Sequence, residues 1–106
     1  MTPQNKTRFF GMLGFAMRAG KVETGTEVVC GLVAKKIATL VIVASDASLS
    51  TKSKIRKKCE FYNIELVEPD VNSETLSQRL GKSSNTVCAA IKDEGFKREI
   101  LKALEI

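Results

Sequence analysis

The chain of 106 residues contains no histidine. This absence excludes His-dependent catalytic triads and removes the commonest general base of enzymes. The three cysteines, Cys30, Cys59 and Cys88, are far apart and form no Cys-x-x-Cys pair, so they predict buried free thiols rather than a zinc site. No Walker-type phosphate loop is present, because Gly81-Lys82-Ser83 lacks the upstream glycine of that motif. We therefore expect a non-catalytic protein that needs no metal or cofactor.

Long apolar runs are absent as well. No run approaches the roughly 20 residues of a membrane helix. The amino-terminal segment does not read as a signal peptide, because residues 9–19 contain two glycines and Arg18. We expect a soluble cytoplasmic protein with one domain over residues 1–106, no membrane partner and, by default, a monomeric state.

Acidic residues are outnumbered, with 12 Asp and Glu against 17 Lys and Arg, which gives a net charge of +5 and a pI near 9.3. A basic domain suits a polyanionic partner, because each neutralised phosphate releases counterions. The alternative is a soluble protein without such a partner that is basic by chance. The basic residues of the third predicted helix fit either a solvated face or phosphate contacts; they are Lys52, Lys54, Arg56, Lys57 and Lys58.

Helical periodicity and short apolar runs alternate along the chain. Five helices are predicted. The first starts at Thr2-Pro3 and stops at Gly20, and the second starts at the capping box of residues 24–27 and runs to about residue 36. The third spans residues 51–62, the fourth starts at Asn72 or Ser73 and stops at Gly81, and the fifth follows residues 93–95. Predicted strands are residues 40–44, 64–67 and 86–91. This alternation predicts a three-layer α/β/α sandwich with helices on both faces of a small sheet.

The start of the second helix is the best candidate for binding chemistry. Gly25 leaves room for a close partner, and the amides of Thr26 and Glu27 are placed to face an anion. The Glu27 carboxylate matches the N1–H and N2–H₂ donors of an exposed guanine. The alternative is that Glu27 only completes the capping box. Asp46 follows the central strand, without an acidic neighbour to share a magnesium ion.

Several short stretches, in order and at compatible spacing, match the pattern of one protein family. They are Ala19-Gly20-Lys21, Gly25, ATLVIVASDAS at residues 38–48, Leu80-Gly81-Lys82 and AIKDEGF at residues 90–96. On these residues the chain resembles the kink-turn RNA-binding ribosomal protein family, typified by the archaeal L7Ae protein, and within it the small bacterial YlxQ-like branch. The resemblance spans nearly the whole chain.

This resemblance implies an α/β/α sandwich around a mixed four-stranded sheet. It also implies binding to kink-turns, which are sharply bent RNA helices with tandem sheared G·A pairs. In the family, the amino end of the second helix enters the major groove at these pairs, and the loop before the fourth helix covers a flipped-out nucleotide. The positions that match are Gly25, Thr26, Glu27, Val28 and Gly31 on the helix and Asp70, Val71, Asn72 and Ser73 in the loop, with Asp46 between them.

The family's base and phosphate readers form an Asn-Glu-x-x-Lys run, from which this chain departs. Glu27 falls at the Asn position, Val28 at the Glu position and Gly31 at the Lys position. Guanine recognition would then come from Glu27, one position early. The phosphate contact would come from the lysines nearest in sequence, which are Lys21, Lys35 and Lys36.

Three functions follow as hypotheses. The first is a ribosome- or translation-associated RNA-binding protein that recognises kink-turn-like structured RNA. The second keeps the fold and makes the domain a protein-interaction module that docks on a translation factor or ribosomal protein, which Val28 and Gly31 favour. The third is an α/β enzyme for a phosphorylated compound, dependent on Asp46 and Gly81-Lys82-Ser83.

Overall fold

The computed structural model describes residues 2–105. These residues form helices and strands in the order α1 (Pro3–Arg18), β1 (Val22–Thr24), α2 (Thr26–Ala34), β2 (Leu40–Val43), α3 (Leu49–Tyr62), β3 (Glu65–Val67), α4 (Ser73–Arg79), β4 (Cys88–Ile91) and α5 (Glu94–Leu104). The predicted alternation of helices and strands is confirmed, and β1 is a further strand that the apolar runs did not predict.

Local side-chain chemistry explains where several helices begin. Thr2, Asn72 and Asp93 each accept a hydrogen bond from the backbone N–H three residues later, over 3.1, 2.8 and 2.9 Å respectively. Ser48 does the same before α3, which therefore begins at Leu49, two residues earlier than the sequence predicts.

The sheet has the order β1-β4-β2-β3 and is mixed. Strand β4 runs antiparallel to both β1 and β2, and β2 and β3 are parallel. The mixed four-stranded sheet that the resemblance implies is confirmed.

Two apolar clusters cover the two faces of this sheet. Successive residues of β2 point to opposite faces, so Leu40 and Ile42 belong to one cluster while Val41 and Val43 belong to the other. The first cluster takes its helical residues from α1, α4 and α5, and the second takes them from α2 and α3. The three-layer α/β/α sandwich is therefore confirmed.

The connections place most loops of interest at one end of the sheet, which we call the upper end. There β1, β2 and β3 finish, β4 begins, and α2, α3 and α4 start. The opposite end, the lower end, holds the start of β1 and β2 and the last turns of α2 and α3. The upper end thus gathers three helix amino ends beside one another.

Candidate nucleic-acid interface

Helix α2 starts at the upper end without a side-chain cap. Its N-cap is Gly25, whose φ of 100° lies where residues with a Cβ are strained. Thr24 instead belongs to β1 and pairs with Ala89 of β4. The predicted capping box of residues 24–27 is therefore wrong, because strand pairing takes the residue that would have capped the helix. As a glycine, this N-cap has no side chain that could accept from the amides at the helix start.

Glu27 is the acidic residue of the first turn of α2, and it makes an ion pair across to α3. Lys54 Nζ donates to Glu27 Oε1 over 2.8 Å. This hydrogen bond, with the charge of Lys54, lowers the pKa of the Glu27 carboxyl below its ordinary value. The carboxylate is 86% exposed, so screening by solvent keeps the pair weak and exchangeable. Since Glu27 caps nothing, the reading of this residue as only part of a capping box is wrong.

Two further predicted residues lie on the exposed surface of α2. Val28 is 49% exposed, and Gly31 is exposed with nothing within 4 Å of the position that a Cβ would take. Thr26 points the other way, with its Oγ1 3.9 Å from the buried Cys88 Sγ. The start of α2 therefore offers a carboxylate, a valine and open backbone to a partner, and the hydroxyl of Thr26 is directed toward the sheet.

Asp46 joins the exit of β2 to the start of α4. Its Oδ1 accepts from the backbone N–H of Ser73 over 2.8 Å and its Oδ2 accepts from the Ser73 hydroxyl over 2.9 Å. These two bonds lower the pKa of the Asp46 carboxyl, and the bond from the backbone N–H has the larger effect. The backbone N–H of Ser45 also donates to Val71 O over 2.8 Å. The structure thus brings Asp46 together with the loop before α4, as the resemblance implies.

Within that loop the predicted residues differ in their access to a partner. Val71 and Ser73 are buried, at 4% and 5% exposure. Asn72 is exposed, but its Oδ1 accepts from Thr75 N–H at the cap of α4. Asp70, at the start of the loop, is exposed. The loop therefore offers Asp70 and the amide of Asn72, and its apolar residue belongs to the core.

The predicted lysines lie elsewhere. Lys21 precedes β1, and Lys35 and Lys36 follow α2, so all three are at the lower end. Nine residues of α2 at about 1.5 Å each separate Lys35 from Thr26 by about 14 Å along the helix axis. Helix α2 also ends at Ala34, two residues earlier than predicted, and Lys36 adopts a left-handed φ of 58°. The structure does not bring these lysines to the start of α2.

Other cations, which the sequence left open, occupy the upper end. Lys54 contacts Glu27, and Lys52 Nζ donates to the backbone carbonyl of Ser45 over 2.8 Å. Arg56 forms a two-bond pair with Glu68. The signal for Lys52 and Lys54 was present as the basic run of the third helix. Their partners lie 7 and 27 residues away, so spacing alone did not identify them.

The loop between α4 and β4 also returns to the upper end, and in the sequence its residues 81–83 indicated only a phosphate site for the enzyme hypothesis. The buried Ser77 Oγ accepts from Thr86 N–H over 2.7 Å and donates to Ser73 O over 2.7 Å. The loop and α4 border a shallow cavity of about 270 Å³ whose lining includes Lys82, Ser83, Ser84 and Asn85. The polar, turn-forming composition of residues 81–85 is the sequence signal that could have indicated an exposed loop at this end.

No helix within residues 2–105 combines the length and apolarity needed to cross a membrane. No group of three or more potential Cys, Asp or Glu ligands is placed to hold a metal ion within the same range.

Known proteins similar to this chain were found by sequence and by structure. The model of the ribosomal protein L7Ae/L30e/S12e/Gadd45 family matches residues 7–101. The RNA-binding protein YlxQ of Enterococcus faecium is 32% identical over 105 residues, covering 99% of each chain, and YlxQ of Bacillus subtilis (strain 168) is 31% identical over 97 residues, covering 92% of this chain and 95% of that one.

Two solved structures have similar folds. A protein of unknown function from Bacillus halodurans C superimposes with a TM-score of 0.86 at 35% identity, covering 92% of this chain and 96% of that one. A Giardia lamblia 15.5kD RNA binding protein superimposes with a TM-score of 0.80, covering 98% and 88%; at 16% identity it shows only that the fold is shared.

Proposed function

The chain belongs to the ribosomal protein L7Ae/L30e/S12e/Gadd45 family, and we propose that it is a non-catalytic RNA-binding protein that recognises kink-turn-like structured RNA. Both YlxQ relatives carry the name RNA-binding protein, which supports RNA as the partner. We propose that residues 1–106 act as one binding domain, monomeric and cytoplasmic, in association with the ribosome or translation. The observation that carries the proposal is the uncapped start of α2 beside the charged Glu27.

The start of α2 provides the chemistry for base recognition. The amides at an uncapped helix start favour negative charge, which suits phosphate or base acceptors. Glu27 is ionised at neutral pH, and the contact with Lys54 lowers its pKa further, so the carboxylate accepts hydrogen bonds and donates none. A guanine Watson–Crick face has the N1–H and N2–H₂ donors that such a carboxylate binds. We infer that Glu27 reads guanine in an opened groove of the bent RNA.

Lys54 gives this site the cation that Gly31 does not. In the free protein Lys54 contacts Glu27 over 2.8 Å. When Glu27 binds a base, the Lys54 ammonium is released to contact a neighbouring phosphate, which costs little because the ion pair is exposed. Lys52 at the β2 exit and Lys82 in the α4–β4 loop are further cations near this end of the molecule. Phosphate contacts from these lysines would set affinity, while Glu27 would set base preference.

A second candidate function keeps the fold and drops RNA recognition. Val28 is 49% exposed and Leu49, at the start of α3, is 82% exposed. Exposed apolar side chains of this kind also suit a protein partner, such as a ribosomal protein or translation factor. The enzyme hypothesis has less support, because both oxygens of Asp46 accept hydrogen bonds from Ser73.

The test compares a standard kink-turn RNA with the same RNA whose G·A pairs are replaced by Watson–Crick pairs. Wild type is expected to prefer the kink-turn. Glu27→Ala should lose one bidentate base contact, worth ~1–3 kcal/mol or about a five- to 150-fold weakening. Lys54→Ala should lower the salt dependence of binding, since one phosphate contact contributes a slope of about 0.9. Glu60→Ala, an exposed carboxylate on α3, is the matched control and should bind as wild type.

Equal and strongly salt-dependent affinity for the two RNAs would contradict kink-turn recognition. Generic attraction between a basic protein and RNA would then explain the binding, and the protein-docking candidate would be preferred.

A further inference from the structure

The exposed face of α3 carries a continuous stripe of side chains of which the proposed site uses only Lys54. Ser50, Lys54, Lys57 and Phe61 follow one another at spacings of four, three and four residues, which places them on one side of the helix. All four are exposed, whereas Ile55 and Cys59 on the opposite side are buried in the core. The stripe begins beside Glu27 at the upper end, through Lys54, and ends at the lower end.

The helix that carries this stripe is strongly basic. Helix α3 contains five Lys and Arg residues and a single acidic residue, Glu60. Of its cations, Lys54 and Arg56 form ion pairs, but no carboxylate within residues 2–105 lies at ion-pair distance from Lys57 or Lys58. Unneutralised ammonium groups on an open helix face suit a polyanion.

An aromatic ring lies among these lysines. Phe61 is 80% exposed, and its ring makes a T-shaped contact with Tyr62 at a centroid distance of 4.9 Å. The Lys58 ammonium lies 6.0 Å from the centroid of the Tyr62 ring. The contact with Tyr62 helps to fix the orientation of the Phe61 ring, and the exposure leaves the ring open to stacking.

We propose that this face of α3, from Lys57 to Phe61, binds a single-stranded RNA segment adjoining the structured RNA, with a base stacked on Phe61 and phosphates on Lys57 and Lys58. The inference rests on the proposed function for the source of that segment. An exposed ring between free cations is the arrangement that binds single strands without sequence preference. The stripe from Lys54 to Phe61 is about 10 Å long, which matches about three stacked bases.

The observations favour RNA over protein as the occupant. Lysine is depleted in protein–protein interfaces, and the neighbours of Phe61 along the stripe are Lys54 and Lys57 rather than further apolar residues. The stripe is also continuous with the start of α2 through the pair of Lys54 and Glu27, so one RNA chain could follow both. Lys35 and Lys36 lie at the lower end on the same side of the sheet, where such a strand would leave the protein.

The test uses a blunt-ended kink-turn RNA, the same RNA with a single-stranded uridine extension at either end, and a free uridine oligonucleotide. Wild type should bind one of the extended RNAs more tightly than the blunt one. Phe61→Ala should remove that gain, about five- to 150-fold for one stacked base, and leave binding to the blunt RNA unchanged. Phe61→Tyr should retain the gain because it keeps the ring. Lys57→Ala should lower the salt slope for the extended RNA by about 0.7.

The matched control is Phe15→Ala. Phe15 is also an exposed phenylalanine beside a cation, Arg18, but it lies on α1 across the sheet, so its loss should change no RNA affinity. The inference is overturned if neither extension adds affinity, or if Phe61→Ala weakens the blunt and extended RNAs equally. If wild type fails to distinguish the kink-turn from its Watson–Crick control, yet the oligonucleotide binds through Phe61, then the proposed function fails and the single-strand site stands.

Discussion

Replacing Ser77 with alanine is expected to destabilise the fold by roughly 2 kcal/mol. Ser77 is 6% exposed, and its Oγ accepts from the N–H of Thr86, which is also 6% exposed. Alanine leaves this buried N–H without its acceptor, which costs about 1–3 kcal/mol, and it removes the bond from Ser77 to Ser73 O, worth about 1 kcal/mol. Alanine is the better helix former by up to about 0.7 kcal/mol, which offsets part of the loss.

The assay is thermal and urea unfolding of wild type and Ser77→Ala side by side. For a domain of this size, 1 kcal/mol shifts Tm by about 4–8 °C, so a fall of roughly 8–16 °C is expected. Ser84→Ala, an exposed serine in the adjoining loop, is the control and should change stability by less than about 0.5 kcal/mol. A Ser77→Ala protein as stable as this control would refute the reasoning, because Thr86 N–H would then have another partner.

Three further predictions concern two glycines of α2, the Cys59 thiol and the Asp46 carboxyl. Gly25→Ala should destabilise by about 1–3 kcal/mol because of its φ of 100°, whereas Gly31→Ala, in open helical backbone, should stabilise by about 0.5–1 kcal/mol; urea unfolding distinguishes them. Burial raises the pKa of the Cys59 thiol from 9.0 to about 11. The contribution of the protonated thiol to folding stability is therefore complete below pH 9.0 and is lost as the pH rises toward 11. A thiol reagent at about pH 8 should label Cys59 only after unfolding. The pKa of Asp46 is lowered, so its contribution to folding stability is present above the ordinary carboxyl pKa and is lost as the pH falls through the lowered value. Asp46→Asn should therefore make the free energy of unfolding depend less on pH below about pH 4.

The helices and three of the four described strands were predictable because local signals determine them. Thr2 and Asn72 cap their helices as the sequence indicates, and the apolar run of residues 40–44 forms the fully buried β2. The capping box at residues 24–27 matched its local sequence pattern equally well. It fails because Thr24 pairs with Ala89, and a local sequence pattern gives no sign of a pairing between residues 65 positions apart.

The candidate site was predictable only in part, for the same physical reason. The resemblance located the start of α2 and the neighbourhood of Asp46. The partners of these residues, Lys54 for Glu27 and Ser73 for Asp46, are both 27 residues away in sequence. Which lysine reaches a given carboxylate depends on how α2 packs against α3, and packing is not encoded in the spacing of charges along one helix.

The outermost strands of the sheet have a consequence for how the protein behaves in concentrated solution. Strands β1 and β3 are at the two edges and contain three residues each. Each carries a glutamate that pairs with a lysine, Glu23 with Lys92 over 2.8 Å and Glu65 with Lys97 over 3.8 Å. Short, charged edges give a second chain little backbone to pair with, which disfavours aggregation by strand addition. The chain thereby keeps an open sheet without a covering strand at either side.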